Sequence, residues 1–164
     1  MSRRILVAGV GNVFLGDDGF GVEVVRRLVG RGLPEGVEVV DFGIRGMDLA
    51  YALQGDYEAV VFVDATPRGE RPGTVYLIEP EIEEGEAMLD THGMDPVKVI
   101  KLSRALGARP TRTLVVGCEP QVVVSGEDYD DMIMELSEPV RAAAEEAVKL
   151  VESLVEEINK EVKS

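Results

Sequence analysis

Short apolar runs alternate with amphipathic segments along most of the chain, and this alternation restricts the fold more than any other feature. Residues 5–10 and 59–64 are rich in branched apolar side chains, a pattern typical of strands buried on both faces. Apolar positions recur at helical spacing over 19–31 and from 140 to 158. Strands that alternate with helices predict an α/β sandwich with a mostly parallel sheet.

The pattern predicts five strands and four helices. The connection before the fourth strand is too short for a helical crossover, so this strand is expected to be antiparallel at a sheet edge. We therefore predict a three-layer α/β/α sandwich, formed by one domain over residues 1–164, since domains of roughly 100–200 residues are usual. The predicted strands are 4–10, 37–41, 59–64, 74–78 and 113–117; the predicted helices are 19–31, 47–53, 95–107 and a long one capped by Ser137.

Composition excludes several functional classes. One histidine and one cysteine in 164 residues cannot build an internal disulfide, a cysteine-rich zinc module or a two-histidine metalloprotease motif. A net charge of −14 disfavours a nucleic-acid partner. The apolar runs are too short to span a membrane, and the one near the N-terminus is too short for a signal peptide. We expect a cytoplasmic protein that binds neither nucleic acid nor membrane.

Polar residues that can do chemistry cluster where the predicted strands end. Asp17 and Asp18 follow the first strand, Asp41 ends the second, and Asp64 ends the third. Ligands bind at the carboxyl ends of strands in such sheets, near a switch in strand order. Asp18 and Asp64 are expected to converge there with His92, the only histidine, and to form a site for a divalent metal such as nickel or zinc.

Competing interpretations exist for several of these residues. Asp17 or Asp18 can simply cap the helix that follows. The spacing of Gly9 and Gly11 resembles a dinucleotide fingerprint, but the position of its third glycine is Phe14. No Gly-x-Ser-x-Gly elbow occurs, and a lone cysteine such as Cys118 is more often a small buried side chain than a nucleophile.

The acidic run over 79–90 holds six acids and no base. Such a run is usually a solvated loop, with contact to a basic patch on a partner as the alternative.

The assembled motifs resemble those of the nickel–iron hydrogenase maturation endopeptidases, in the same order and over almost the whole chain. The first motif, GVGNVFLGDDGFG, is long and specific, and the single histidine falls in a later motif. The residues that carry the resemblance are 9–21, 41–47, 63–65, 72–74, 91–93 and 116–120.

The resemblance implies a twisted five-stranded sheet and a nickel-dependent endopeptidase. Its substrate would be a hydrogenase large-subunit precursor, which loses a C-terminal extension after nickel insertion; the precursor's maturation chaperone is a second candidate partner. Asp18, Asp64 and His92 match the family's three metal-binding positions. Nickel would be presented by the precursor, and other divalent metals are expected to occupy the same ligands. Either Asp17 or Asp41 is a candidate base for an aspartyl-type hydrolysis.

The turn after the second strand departs from the family pattern. The resemblance ties this turn to substrate choice and assigns recognition to Asp41, Phe42, Gly43, Ile44 and Arg45. The family often has threonine where this chain has Ile44, so the class of hydrogenase is left open. Two other functional classes also remain open: a non-catalytic metal-binding assembly factor and a small nucleotide- or metabolite-binding α/β module.

Overall fold

The computed structural model describes residues 4–82, 95–108, 112–121 and 135–161. They contain a five-stranded sheet in the order β2-β1-β3-β5-β4. All neighbouring strands in it are parallel except β4 and β5, which pair antiparallel at the edge. The predicted fold class is confirmed. The strands are β1 (Ile5–Val10), β2 (Val37–Gly43), β3 (Ala59–Ala65), β4 (Val75–Ile78) and β5 (Arg112–Cys118).

Two helices cover each face of the sheet, so the layers are those the sequence predicts. The first core lies between the sheet and helices α1 and α4, and the second between the sheet and helices α2 and α3. Burial of both faces explains why β1 and β3 read as continuous apolar runs. The helices are α1 (Phe20–Leu28), α2 (Gly46–Ala52), α3 (Pro96–Ala105) and α4 (Glu138–Glu161). Within the described ranges, no helix combines the length and apolar content that a membrane crossing requires.

The start of α1 differs from the prediction. A short 3₁₀ helix, Gly16–Gly19, precedes it, and Gly19 takes the N-cap position without a side-chain hydrogen bond. Neither Asp17 nor Asp18 therefore caps α1. The predicted cap of α4 is also revised: the Ser137 hydroxyl donates to Asp17 Oδ2 at 2.8 Å, although its carbonyl still accepts the first helical bond from the Arg141 amide.

The strand order places the end of β1 beside the end of β3. The chain leaves β1 towards β2 on one side and returns to β3 on the other, so β1 and β3 flank the switch point. In sheets of this kind the crevice at the switch point is where ligands bind. The residues after β1 and at the end of β3 are therefore the first candidates for chemistry.

Candidate active site

The loop after β1 folds back so that Asp18 lies over the end of β1. Gly11 permits this return, because it has a φ of +133° and a Cβ there would lie 1.9 Å from the Asp18 carbonyl oxygen. The Asn12 amide donates to Asp18 Oδ2 at 2.8 Å and fixes the carboxylate. Asp18 is half-buried, and burial raises the pKa of its carboxyl, partly opposed by the Asn12 hydrogen bond.

Asp64 is the second carboxylate of the crevice. It is the penultimate residue of β3 and is only 9% exposed. Burial raises its pKa well above the ordinary value, and the nearby charge of Asp18 raises it further. The Ala65 amide opposes this shift, whereas Asp95, at the start of α3, adds to it. Among the residues that the structure describes, the groups that act on Asp64 include no cation.

Burial and the charge of Asp18 disfavour the ionised form of Asp64. A proton on one carboxyl or a cation beside the pair would relieve the repulsion between the two like charges, which burial strengthens. Carboxylate oxygens suit a divalent metal, so this donor set fits the predicted metal. In the described part of the chain, however, no cluster of three or more metal-ligating side chains is found. His92 lies outside the described residues, so its part in the site stays a prediction.

Asp17 belongs to a different environment from Asp18, its neighbour in the chain. Its side chain is fully buried and accepts hydrogen bonds from the Ser137 amide at 2.7 Å, the Ser137 hydroxyl at 2.8 Å and the Gln121 amide at 2.8 Å. A base must reach a water or a substrate proton. Because Asp17 is enclosed by structural donors, its predicted role as a base is not supported; it fastens the 3₁₀ helix to the start of α4.

Asp41 lies on the opposite face of the sheet from Asp64. Val40 and Phe42 on either side of it pack into the core under α2 and α3, so Asp41 is directed to the α1 side. Asp64 has the reverse orientation, because the preceding Val63 packs on the α1 side. The structure therefore does not bring Asp41 to the face of the sheet that carries Asp64, and its role as a base stays a prediction.

The turn after β2 is held by its own arginine. The Arg45 guanidinium donates to the carbonyls of Asp41 and Phe42 and forms an ion pair with Asp48 at 3.4 Å. This leaves Ile44 at the tip, 67% exposed, beside the buried Phe42 and the positive-φ Gly43. Arg45 thus fixes the shape of the turn, and the Ile44 side chain remains in solvent.

Sequence reasoning missed Glu119, which follows β5. It is buried, and its Oε1 accepts from the Arg68 amide at 2.8 Å, the Glu70 amide at 3.1 Å and the Tyr76 hydroxyl at 2.7 Å. It thereby shapes the loop that follows Asp64 and β3. The signal was available: an acid directly after a buried strand needs a partner, and the same reasoning points to Asp64.

Comparison with known proteins agrees with this architecture. A family model described as hydrogenase maturation protease matches residues 22–154. A Methanocaldococcus jannaschii protein named as a putative hydrogenase maturation protease is 32% identical over 156 residues, which are 91% of this chain and 94% of that protein.

Solved structures extend the agreement to three dimensions. The Escherichia coli hydrogenase maturating endopeptidase HybD is similar with a TM-score of 0.73 and 28% identity, covering 94% of this chain and 93% of that one. The [NiFe] hydrogenase maturation protease HycI of Thermococcus kodakarensis is similar with a TM-score of 0.71 and 27% identity, covering 94% of each chain. Fold and comparisons together define a protease, a hydrolase of peptide bonds. The chain belongs to the hydrogenase maturation protease family, as its motifs predict.

Proposed function

We propose that this protein removes a C-terminal extension from a hydrogenase large-subunit precursor once nickel has been inserted. The observation that carries the proposal is the Asp18–Asp64 pair. Two carboxyls with raised pKa values lie near enough at the switch point for the charge of Asp18 to act on Asp64, and no cation among the described residues compensates them. Such a pair is costly in a folded protein and is typical of a functional site.

Nickel enters the proposed reaction as part of the substrate, carried in by the precursor. Asp18 and Asp64 supply carboxylate oxygens that suit it, and His92 is proposed as the third ligand. When bound, the metal would mark the precursor as mature and polarise a nearby carbonyl or water. Because the two acids repel each other, a cation brought by the substrate relieves their repulsion, which favours docking of the loaded precursor over the empty one.

The carboxylate pair is also the best remaining source of an acid and a base. Asp17 is enclosed by structural donors, and Asp41 faces the other side of the sheet. Aspartic proteases use two neighbouring carboxyls that share a proton, because both cannot ionise at close range. We propose that Asp64, whose pKa is raised the more strongly, holds that proton until the loaded precursor docks, with Asp18 as its partner, and releases the proton when its carboxylate binds nickel.

Recognition is assigned to the turn after β2, residues 41–45. Ile44 and Met47 are exposed, and Phe14 is exposed on the neighbouring loop after β1. Ile44 lies in the turn after β2, Met47 in the first turn of α2 and Phe14 in the loop after β1, and we call these three exposed side chains the apolar rim. We propose that this rim contacts the precursor, with the precursor's chaperone as a further partner, and that the reaction takes place in the cytoplasm.

The proposal is tested by incubating the protein with nickel-loaded and with nickel-free precursor and measuring the intact mass of the precursor. Loss of a C-terminal peptide from the loaded form alone supports it. Loss from both forms supports the protease and contradicts nickel licensing. An unchanged mass, together with metal binding by this protein, overturns the protease and supports a non-catalytic assembly factor.

The ligand assignment has its own control in the same assay. The variants Asp64→Ala and His92→Ala should leave the precursor at full length, whereas the control Glu156→Ala, at an exposed position of α4, should still process the precursor. Cleavage at the wild-type rate by either of the first two variants would contradict the assignment of that residue.

A further inference from the structure

Thr66 lies two residues beyond Asp64, just after the end of β3. Its amide donates to the Cys118 carbonyl at 2.9 Å, which extends the pairing of β3 with β5. Its side chain rests on Gly117: a Cβ at Gly117 would lie 1.9 Å from Thr66 Oγ1. Any larger residue at position 117 would displace the threonine side chain.

Gly117 is also the register partner of Asp64. Neighbouring strands lie roughly 4.8 Å apart, so the hydroxyl of Thr66 sits one strand away from the Asp64 backbone. Asp64 and Gly117 also point to the same face of the sheet. Phe62 and Val115 both pack into the core under α2 and α3, and Asp64 and Gly117 each follow two residues later on the same face.

The Thr66 hydroxyl is buried and has no hydrogen-bond partner among the residues that the structure describes. Other hydroxyls nearby are paired: Thr74 Oγ1 donates to the Arg71 carbonyl at 2.6 Å, and the Tyr76 hydroxyl donates to Glu119. A buried, unpaired hydroxyl lowers the stability of a folded protein, so it is rare unless a partner arrives with a ligand.

We propose that Thr66 is a substrate-positioning residue whose hydroxyl donates a hydrogen bond to a backbone carbonyl of the bound precursor peptide. The inference rests on the proposed protease function. A hydroxyl can donate or accept, and as a donor it suits a peptide carbonyl, because the Thr66 amide already donates to the Cys118 carbonyl and leaves the hydroxyl as the unpaired donor of this residue. A peptide lying across the ends of β3 and β5 brings carbonyl oxygens to this position.

The test compares Thr66→Val with Thr66→Ser and with Thr74→Val as the matched control. Valine keeps the shape of threonine and removes only the hydroxyl, so the melting temperature of Thr66→Val should equal or exceed that of the wild type. Its kcat/KM for precursor processing should fall about tenfold, the effect of one lost hydrogen bond. Thr66→Ser should regain most of the activity. Thr74→Val should show the reverse pattern, with a lower melting temperature and a largely unchanged kcat/KM.

Two results would overturn the inference. One is wild-type kcat/KM in Thr66→Val, which would show that the hydroxyl does not contact the substrate. The other is a lower melting temperature in Thr66→Val with a matching loss of activity, which would show that the hydroxyl has a partner within the folded protein. A wild-type protein that cuts no precursor would instead overturn the proposed function, and the role of Thr66 with it.

Discussion

Two pairs of buried or half-buried acids lie near the same edge of the sheet, and they are built in opposite ways. Asp17 and Glu119 each accept at least three hydrogen bonds from amides and hydroxyls around them. Asp18 and Asp64 have few donors and face each other's charge. Asp17 and Asp18 are adjacent in the chain, so sequence position alone does not separate the two kinds of site.

The difference shows in the pKa directions. The Tyr76 hydroxyl and the backbone amides of the neighbouring loop lower the pKa of Glu119. Burial and the charge of Asp18 raise the pKa of Asp64. Donors favour the charged form of a carboxyl, and burial without donors disfavours it. The carboxylates with several donors join separate segments of the fold, whereas Asp18 and Asp64 have fewer donors and raised pKa values.

The largest expected effect is on catalysis, and it comes from the pair with few donors, Asp18 and Asp64. Asp64→Asn should lower kcat/KM for precursor processing by about 100-fold or more, since a missing acid–base group has that effect. The fold should survive, because asparagine keeps the size of the side chain and cannot ionise in a site without a counter-charge among the described residues. Steady-state kinetics and thermal unfolding on one preparation measure both quantities. A wild-type kcat/KM in Asp64→Asn would contradict a catalytic role for the Asp18–Asp64 pair.

Substitutions in the hydrogen-bonded pair, Asp17 and Glu119, should lower the free energy of unfolding instead. Asp17→Ala leaves the Ser137 amide and hydroxyl and the Gln121 amide without their acceptor, at a cost of about 3 kcal/mol in the free energy of unfolding. Asp18→Ala, at the next position, loses the bond from the Asn12 amide and should cost less than half as much. Urea denaturation of the two variants gives the comparison; equal losses would contradict it.

A smaller effect is expected from the apolar rim, which contains neither kind of carboxylate. Ile44→Ser should change the free energy of unfolding by less than about 0.5 kcal/mol, because the side chain is exposed. The KM for the precursor should rise severalfold while kcat stays near the wild-type value. An unchanged KM would show that the turn after β2 does not contact the precursor.

Much of the fold was predictable because buried positions carry apolar residues, and their spacing along the sequence differs between strands and helices. The runs of β1 and β3 predicted buried strands, and the short connection before β4 predicted its antiparallel edge position. The ends of the helices were predicted less accurately. The prediction continued α1 to residue 31, but the helix ends at Leu28 because the backbone is already extended at Val29.

The site was only partly predictable. Strand ends pointed to Asp18 and Asp64, since carboxyl ends of parallel strands share an edge. The pattern could not show that Asp17 bonds to Ser137, 120 residues away, or that Asp41 faces the other side of the sheet. Both depend on long-range contacts and on strand register. The motif that carries His92 and most of the acidic run over 79–90 lie outside the described residues, so those expectations stay predictions.

The opposite pKa directions of Asp64 and Glu119 provide the most direct test. A raised pKa means that the Asp64 contribution to stability is present at low pH and is lost as pH rises through its folded pKa. A lowered pKa means that the Glu119 contribution is present above the ordinary glutamate pKa and is lost as pH falls.

The measurement is the free energy of unfolding of wild type, Asp64→Asn and Glu119→Gln, followed from acid to neutral pH. Relative to the wild type, Asp64→Asn should gain stability as pH rises, and Glu119→Gln should lose it. Parallel curves for the two variants, or the reverse signs, would contradict the claim that one pair of acids supports the fold while the other is kept free for the substrate.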